Sequence, residues 1–563
     1  MKFEKWEVAG YDRALAAAMC REGINPLVAL VMASRGTLTA AETRETLRSD
    51  MGLLCDPMLL MDMEPAARRV REAIDRGEHV AVYGDYDVDG MTASCLVAGY
   101  LRERGLACEI YIPGRIDEGY GVNCAALREL AGKGVTLVIT VDCGITAAEE
   151  AEYAGSLGMD MVITDHHECA ARLPRAVAVV DPKRPDCPYP NKALAGVGVG
   201  FKLVCAVEGP DRLEALMERY SDLVAMGTVA DVMSMRGENR ALVTRGLREL
   251  NRNRRPGIRS LMEQAGLGER EITSGTIGFN LAPRLNAAGR MSRTSLTVEL
   301  LMTRDGEEAD RLAAELNSLN AERRTIETGI MDEAVAMLGE GPVSGPIVLA
   351  REDWFQGVLG IVATRLAEKY YVPVILISTG SGEGRGSCRS FGGFPIFDAL
   401  QACADLLTGF GGHEMAAGLT IPAGNVDELR RRLGEYYHAR VDHRPVPTLK
   451  LDFEVLKPQL LSFENVTALK CMEPYGSGNL APMLCMRGVR LASISGVGGG
   501  SHTKVRLGMA GESFDGIFFC RAPEELGLTA GDLVDAAFEV QINEFRGRRS
   551  VQLLLSDLRR HME

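Results

Sequence analysis

Short apolar runs alternate with amphipathic stretches through the middle of the chain. Runs at 79–83, 107–112, 135–141, 159–163 and 176–180 have the length and composition of strands. Between them, 91–104 and 123–130 carry helical spacing. Asn123 stands where a cap is needed, and Thr146 precedes Glu149 at the capping-box spacing. This alternation predicts a mostly parallel sheet with helices on both faces. Residues 1–75 read as a largely helical N-terminal cap region, interrupted at Pro57. Helical character returns at 194–207, an apolar run at 222–229 ends in Ala230-Asp231, and 282–290 reads as a loop. The stretch 295–338 is strongly helical, with a break at Asp305-Gly306. Its second part would span roughly 48 Å at about 1.5 Å per residue, long enough to bridge domains. A second α/β unit follows, with strands at 347–349 and 373–377, helices at 360–370, 397–407 and 426–439, and a turn at 386–390. Beyond Pro445-Val446-Pro447 the pattern becomes strands at 449–453, 489–495, 502–508, 513–519, 533–544 and 551–558. These suggest a small curved barrel of about 110 residues. The expected boundaries are 1–75, 76–294, 295–340, 341–445 and 446–563.

The polar positions that interrupt this pattern cluster at strand ends. The run V-A-V-Y-G-D-Y-D-V-D-G-M-T, residues 80–92, stops at Gly84 and continues with Asp85, Asp87 and Asp89. Asp142, Asp165, His166 and His167 follow later apolar runs, and Asp231 follows the run at 222–229. Ligands of such sheets bind beyond the carboxyl ends of the strands. So many acids cannot sit together unpaired, so the set predicts cations. Alternate residues of an extended segment point the same way, which lets Asp87 and Asp89 face one centre, and Asp142 could bridge two ions. An oxygen-rich set with one or two imidazoles suits Mn or Mg rather than structural zinc. Cys143, Cys169 and Cys187 lie nearby but fit no closed tetrahedral spacing. The bland alternative, turn aspartates bonded to backbone, suits Asp165 or Asp181 singly but not the whole set.

Composition narrows the picture. The 563 residues allow about three to four domains. No apolar run has the length of about 18 residues needed to span a membrane, and the N-terminal stretch is not of signal-peptide type. The 14 cysteines form no regular framework, so reduced thiols and a cytoplasmic location are expected. The formal charge of -14 argues against a nonspecific nucleic-acid coat while leaving room for a local basic groove.

Two further sets point to a long anionic substrate. Arg284, Asn286, Arg290, Ser387, Arg389, Ser390 and His413 combine guanidinium forks, hydroxyls and close-approach glycines, which suits phosphate. In the strand-rich tail, Lys504, Arg506, Arg546, Arg548 and Arg549 alternate with apolar residues near Phe518, Phe519 and Phe545. A basic, aromatic barrel face grips single strands. Phe518 and Phe519 cannot both face outward from one strand.

Taken together, these segments resemble the DHH phosphoesterase family, and within it the bacterial RecJ-type single-stranded-DNA-specific exonucleases. The matching segments are YGDYDVDG (83–90), VDCG (141–144), DHHE (165–168), TVAD (228–231), PRLNAAGRM (283–291), DWFQGVLGIVATRL (353–366), SCRS (387–390), GGHEMAAG (411–418) and EPYGSGN (473–479). The resemblance implies an α/β fold: a parallel-sheet DHH catalytic domain, a long connecting helix, a second α/β domain of DHHA1 type and a C-terminal OB-like β-barrel. It implies that Asp87, Asp89, Asp142, His166 and Asp231 hold two Mn2+ or Mg2+ ions. Asp85 and His167 would support them, with Arg290 and Asn286 at the reacting phosphate. Arg284, Ser387, Arg389, Ser390, His413, Lys504 and Arg506 would contact the strand. The family usually has histidine where this chain has Phe355, which stacks but neither donates nor titrates.

The expected activity is 5′-to-3′ release of 5′-mononucleotides from single-stranded DNA in recombination and repair, by two-metal hydrolysis. The alternative is a DHH phosphodiesterase acting on short oligonucleotides or cyclic dinucleotides, which would need no C-terminal barrel. Single-stranded DNA is the expected partner, with single-strand-binding protein and a helicase as candidates.

Overall fold

The computed structural model describes residues 3–115, 117–252, 254–380, 382–441, 445–545 and 547–562. It divides into two units, Asp50–Pro445 and the pair of segments Met1–Ser49 with Val446–Glu563. The segment 1–75 therefore falls partly in each.

In the larger unit, five parallel strands form the first sheet. Their order is Cys108–Tyr111, Val80–Tyr83, Leu137–Val141, Asp160–Thr164 and Ala178–Val180. Val80–Tyr83 and Leu137–Val141 are buried at every position. That explains their unbroken apolar composition: helices cover both faces, so neither face can carry polar side chains. The helix Val88–Glu103 is buried along most of its length against Gly196–Glu208 and Leu213–Ala230. It begins at Val88 rather than 91, because Asp87 caps it. Asn123 caps Cys124–Gly132 as expected, but Thr146 caps nothing: the helix Ala148–Ser156 starts after Ala147 with no side-chain cap.

Residues 282–290, expected as a loop, form the helix Ala282–Arg290 after a π-helical turn at Ile277–Leu281. Pro283 sits in its first turn, where no N–H is required, so the residue that suggested a loop is compatible with a helix. Asp305 caps the long helix Gly306–Leu338 by accepting from Glu308 N at 2.9 Å.

The second sheet runs Gly409–Gly412, Ala416–Pro422, Glu383–Arg389, Val374–Ser378 and Ile347–Arg351, with only the last pair parallel. Residues 386–390, expected as a turn, lie mostly in its central strand. A Cβ at Gly386 would lie 3.0 Å from the Leu419 side chain, so the glycine makes room for a neighbouring strand and does not mark a reversal.

The smaller unit is a closed barrel. Leu484–Val497, His502–Met509, Glu512–Phe518, Arg548–Arg560 and Leu533–Phe545 pair in sequence, and the first pairs with the last. Phe453, Leu507, Phe514 and Phe538 fill it. Residues 1–49 are part of this unit: Lys5–Val8 pairs in parallel with Thr448–Leu451, Leu27 and Val31 join the barrel core, and Trp6 Nε1 donates to Asp557 Oδ2 at 2.9 Å. Among the described residues, no helix is long and apolar enough to cross a membrane.

Candidate metal centre and phosphate cleft

Local structure places the acids one by one. Asp87 Oδ1 accepts from Gly90 N at 3.0 Å, the N-cap of Val88–Glu103. Asp89 lies in the first turn of that helix. The two therefore converge through a cap and a helical turn, not as alternate residues of an extended segment. Asp89 accepts from Gly196 N at 2.7 Å and Val197 N at 2.9 Å, the start of Gly196–Glu208, where the helix dipole favours an anion. Asp142 follows Leu137–Val141 with φ of 60°. Asp231 comes from the C-cap of the helix Leu213–Ala230, not from a strand.

These side chains converge. His166 Nε2 lies 3.0 Å from Asp142 Oδ1, 3.6 Å from Asp231 Oδ2 and 3.8 Å from Asp89 Oδ2. Three ligand-like groups result: Asp85, Asp87 and Asp142; Asp89, His166 and Asp231; and Asp142, His166 and His167. Asp142 belongs to two of them.

Buried polar atoms normally have partners. Here Asp85 Oδ1, Asp142 Oδ1, Asp231 Oδ2 and both ring nitrogens of His166 have no hydrogen bond. Burial, reinforced by neighbouring carboxylates, pushes Asp85, Asp89 and Asp142 well above the usual carboxylate range, and Asp231 to about 7. Burial and the His167 charge lower His166 to about 4, so its ring is neutral and able to ligate. Divalent cations would satisfy the carboxylate oxygens and one of the His166 nitrogens, and the oxygen-rich donor set fits Mn2+ or Mg2+. The packing allows nothing larger in place of two glycines: a Cβ at Gly196 would fall 2.5 Å from Asp142 Oδ1, and one at Gly227 2.6 Å from Asp89 Oδ1.

Asp165, a candidate ligand by sequence, belongs to none of these groups. Its Oδ1 accepts from His166 N at 2.7 Å, from His167 N at 3.2 Å and lies 2.7 Å from His167 Nδ1, while Oδ2 accepts from Ile145 N. It orients the histidines. Burial would lower His167, but the bond to Asp165 and its charge outweigh this and lift the imidazole to about 9.

The phosphate-type residues separate on inspection. Arg290 is half-buried and donates to Gly357 O at 3.3 Å. Burial, then the charges of Arg115, Arg323 and Arg389, bring it down to about 10 against the pull of Asp87. Arg389 donates to Ser387 Oγ at 3.2 Å. Arg115, which the sequence reading missed, stands 4.9 Å over the Tyr86 ring. Its only sequence signal was a lone arginine in the glycine-bounded segment after Cys108–Tyr111.

Asn286 Oδ1 accepts from Val88 N at 3.0 Å, so it fastens the acid-bearing helix. Arg284 faces the long helix, donating to Asn317 Oδ1 at 3.0 Å and to Asn280 O. The Ser390 hydroxyl donates to Phe394 O. His413 is exposed after Gly409–Gly412. Phe355 precedes the helix Gln356–Tyr370 and packs in an apolar cluster with Trp354 and Val358. A cavity of about 560 Å³ opens between residues 117–120 and the strands that carry Arg385 and Phe410.

On the barrel, Lys504 and Arg506 are exposed and alternate with buried Val505 and Leu507. Phe518 is 5% exposed and Phe519 54%, with the His502 ring 5.3 Å from Phe519. Arg549 stands 5.4 Å from the Phe463 ring. Arg546 and the Phe545 side chain lie outside the described residues.

Residues 79–228 match the DHH family, N-terminal domain, residues 344–439 the DHHA1 domain, and residues 452–557 the RecJ OB domain. The single-stranded-DNA-specific exonuclease RecJ of Bacillus subtilis is 37% identical over 559 residues, 98% of this chain and 70% of that protein. The protein of the same description from Escherichia coli is 34% identical over 559 residues, 95% of this chain and 96% of that one. The crystal structure of RecJ in complex with Mn2+ from Thermus thermophilus matches with a TM-score of 0.84 at 30% identity, covering 99% of this chain and 80% of that one.

Proposed function

Since this chain belongs to the RecJ family of single-stranded-DNA-specific exonucleases, we propose that it releases 5′-mononucleotides stepwise from the 5′ end of single-stranded DNA, using two divalent cations. The observation that carries this reading is the set of orphaned, buried ligand atoms on Asp85, Asp142, Asp231 and His166, together with the arginines whose charges act on Arg290.

Asp87, Asp89, Asp142, His166 and Asp231 would hold the ions, with Asp85 and His167 in support. Bound Mn2+ or Mg2+ supplies Lewis-acid polarisation of the phosphate and a more acidic attacking water. The protein contributes position and charge. Asp165 fixes His167, and the start of Gly196–Glu208 fixes Asp89. Arg290, Ser387 and Arg389 hold phosphate oxygens, which places the end of the strand at the acids. The exposed face of Lys504 and Arg506 tracks the remaining backbone. Single-strand-binding protein and a helicase are the partners we propose, tested by co-purification with and without DNA. A DNA substrate argues for a cytoplasmic location, which cell fractionation tests.

Digestion of long single-stranded DNA, labelled separately at each end, tests the reading with Mn2+, Mg2+ or chelator. Early release of the 5′ label as mononucleotide, retention of the 3′ label and loss of turnover in Asp142→Ala are expected. Turnover of a dinucleotide alone would overturn it in favour of a short-oligonucleotide phosphodiesterase.

A further inference from the structure

One carboxylate in the Asp50–Pro445 unit is buried among arginines far along the sequence from any candidate metal ligand. Glu327, on the long helix Gly306–Leu338, is 1% exposed. Its Oε1 lies 2.7 Å from Arg365 Nη1, on the helix Gln356–Tyr370. Its Oε2 lies 3.3 Å from Arg323 Nη1, one turn earlier on its own helix. Neither oxygen makes an aligned hydrogen bond, and Arg323 Nε has no partner either. A buried ion pair with so little hydrogen bonding gains little net stability, and apolar residues of similar size would serve the fold at least as well. The arrangement therefore calls for a reason other than stability.

The neighbouring contacts supply one. The first turn of Gln356–Tyr370 packs against both Arg290 and the Ser387–Arg389 pair. Its Gly357 carbonyl accepts from Arg290, and a Cβ at Gly357 would lie 2.3 Å from Arg290 O. A Cβ at Gly360 would lie 2.7 Å from Arg389 Nη2 and 3.0 Å from Ser387 Oγ. With no slack at either glycine, any slide of this helix shifts Arg290 or the Ser387–Arg389 pair. Trp354 Nε1 donates to Glu333 Oε2 at 2.8 Å and fastens the segment before the helix to the same long helix. Glu327 and Arg365 are the corresponding tie farther along.

We propose that Glu327 is a positioning residue for the phosphate cleft: its charge draws Arg365 in and keeps Arg323 folded back on the long helix, which sets the spacing of Arg290 against Ser387 and Arg389. The inference rests on the reading of those three residues as the phosphate grip. It makes a prediction opposite in sign to simple electrostatics. Removing a negative charge beside a polyanion should tighten binding. Loss of a positioning charge should weaken it.

The test compares the wild-type chain, Glu327→Gln and Arg365→Gln on a single-stranded oligonucleotide with Mn2+. In both variants KM should rise about tenfold, equivalent to about 1.4 kcal/mol, while kcat stays within about twofold and Mn2+ affinity by calorimetry is unchanged. The double variant should be no worse than either single one, as expected of residues acting through one contact. Arg365 is half exposed, so its variant keeps the test available if Glu327→Gln does not fold. An unchanged or lowered KM, or equal losses in kcat and Mn2+ affinity, would overturn the proposal. An inactive wild type would instead overturn the functional reading itself.

Discussion

Asp165 shows how much a single side chain organises without touching an ion. Its two oxygens hold the main chain after Asp160–Thr164, the Nδ1 edge of His167 and the amide of Ile145. Removing its charge should loosen both histidines at once. We expect Asp165→Asn to lose about 10–100-fold in Mn2+ affinity or activity, the usual cost of disturbing an outer partner of a metal ligand. Half-saturation by Mn2+ measures this directly, and an unshifted curve would mean the histidines hold their places alone. Both Asp165 and Asp142 follow apolar strands, and in the sequence only the backbone-bonded alternative and the family resemblance set Asp165 apart from the ligands. The difference is that Asp165 has main-chain donors within reach, whereas Asp142 Oδ1 has none.

At the scale of elements, the helix Val88–Glu103 carries the acids, and its first turn is held from outside. Asn286, on Ala282–Arg290, accepts from Val88 N, an amide at a buried residue. Asn286→Ala leaves that donor unpaired, at a cost of about 1–3 kcal/mol. The unfolding midpoint of the larger unit should fall. Turnover should fall with it through displaced Asp87 and Asp89, while KM for DNA changes little. Thermal unfolding read beside steady-state kinetics checks both; a lower KM-limited rate alone would return Asn286 to the substrate side. The sequence located this helix but began it three residues late, because Gly90 among aspartates resembles a turn. Residues 386–390 were misread for the same reason. Glycine there relieves crowding by Leu419, and a single chain pattern does not distinguish that from a reversal.

For the whole molecule, the barrel face predicts how the enzyme grips long strands. Lys504→Ala with Arg506→Ala should raise KM on long single strands and reduce the salt slope of binding by about one per lost phosphate contact. Turnover of a dinucleotide should be unchanged. Binding isotherms at several salt concentrations measure the slope, and an unaltered slope would take these residues off the path of the DNA. The chain's order of motifs was sufficient to predict the α/β fold, the barrel and a clustering of acids, because strand-end acids, long helices and barrel strands are written in local patterns. What only the tertiary structure decided was the assignment of individual atoms. Asp89 is held by amides 107 and 108 residues away, and Asn286 serves a helix 198 residues distant. Arg284 and Arg290, six positions apart in one motif, face different neighbours. Such partners are set by how elements pack, and periodicity along the chain carries no record of which buried atom will find a donor and which will be left for a cation.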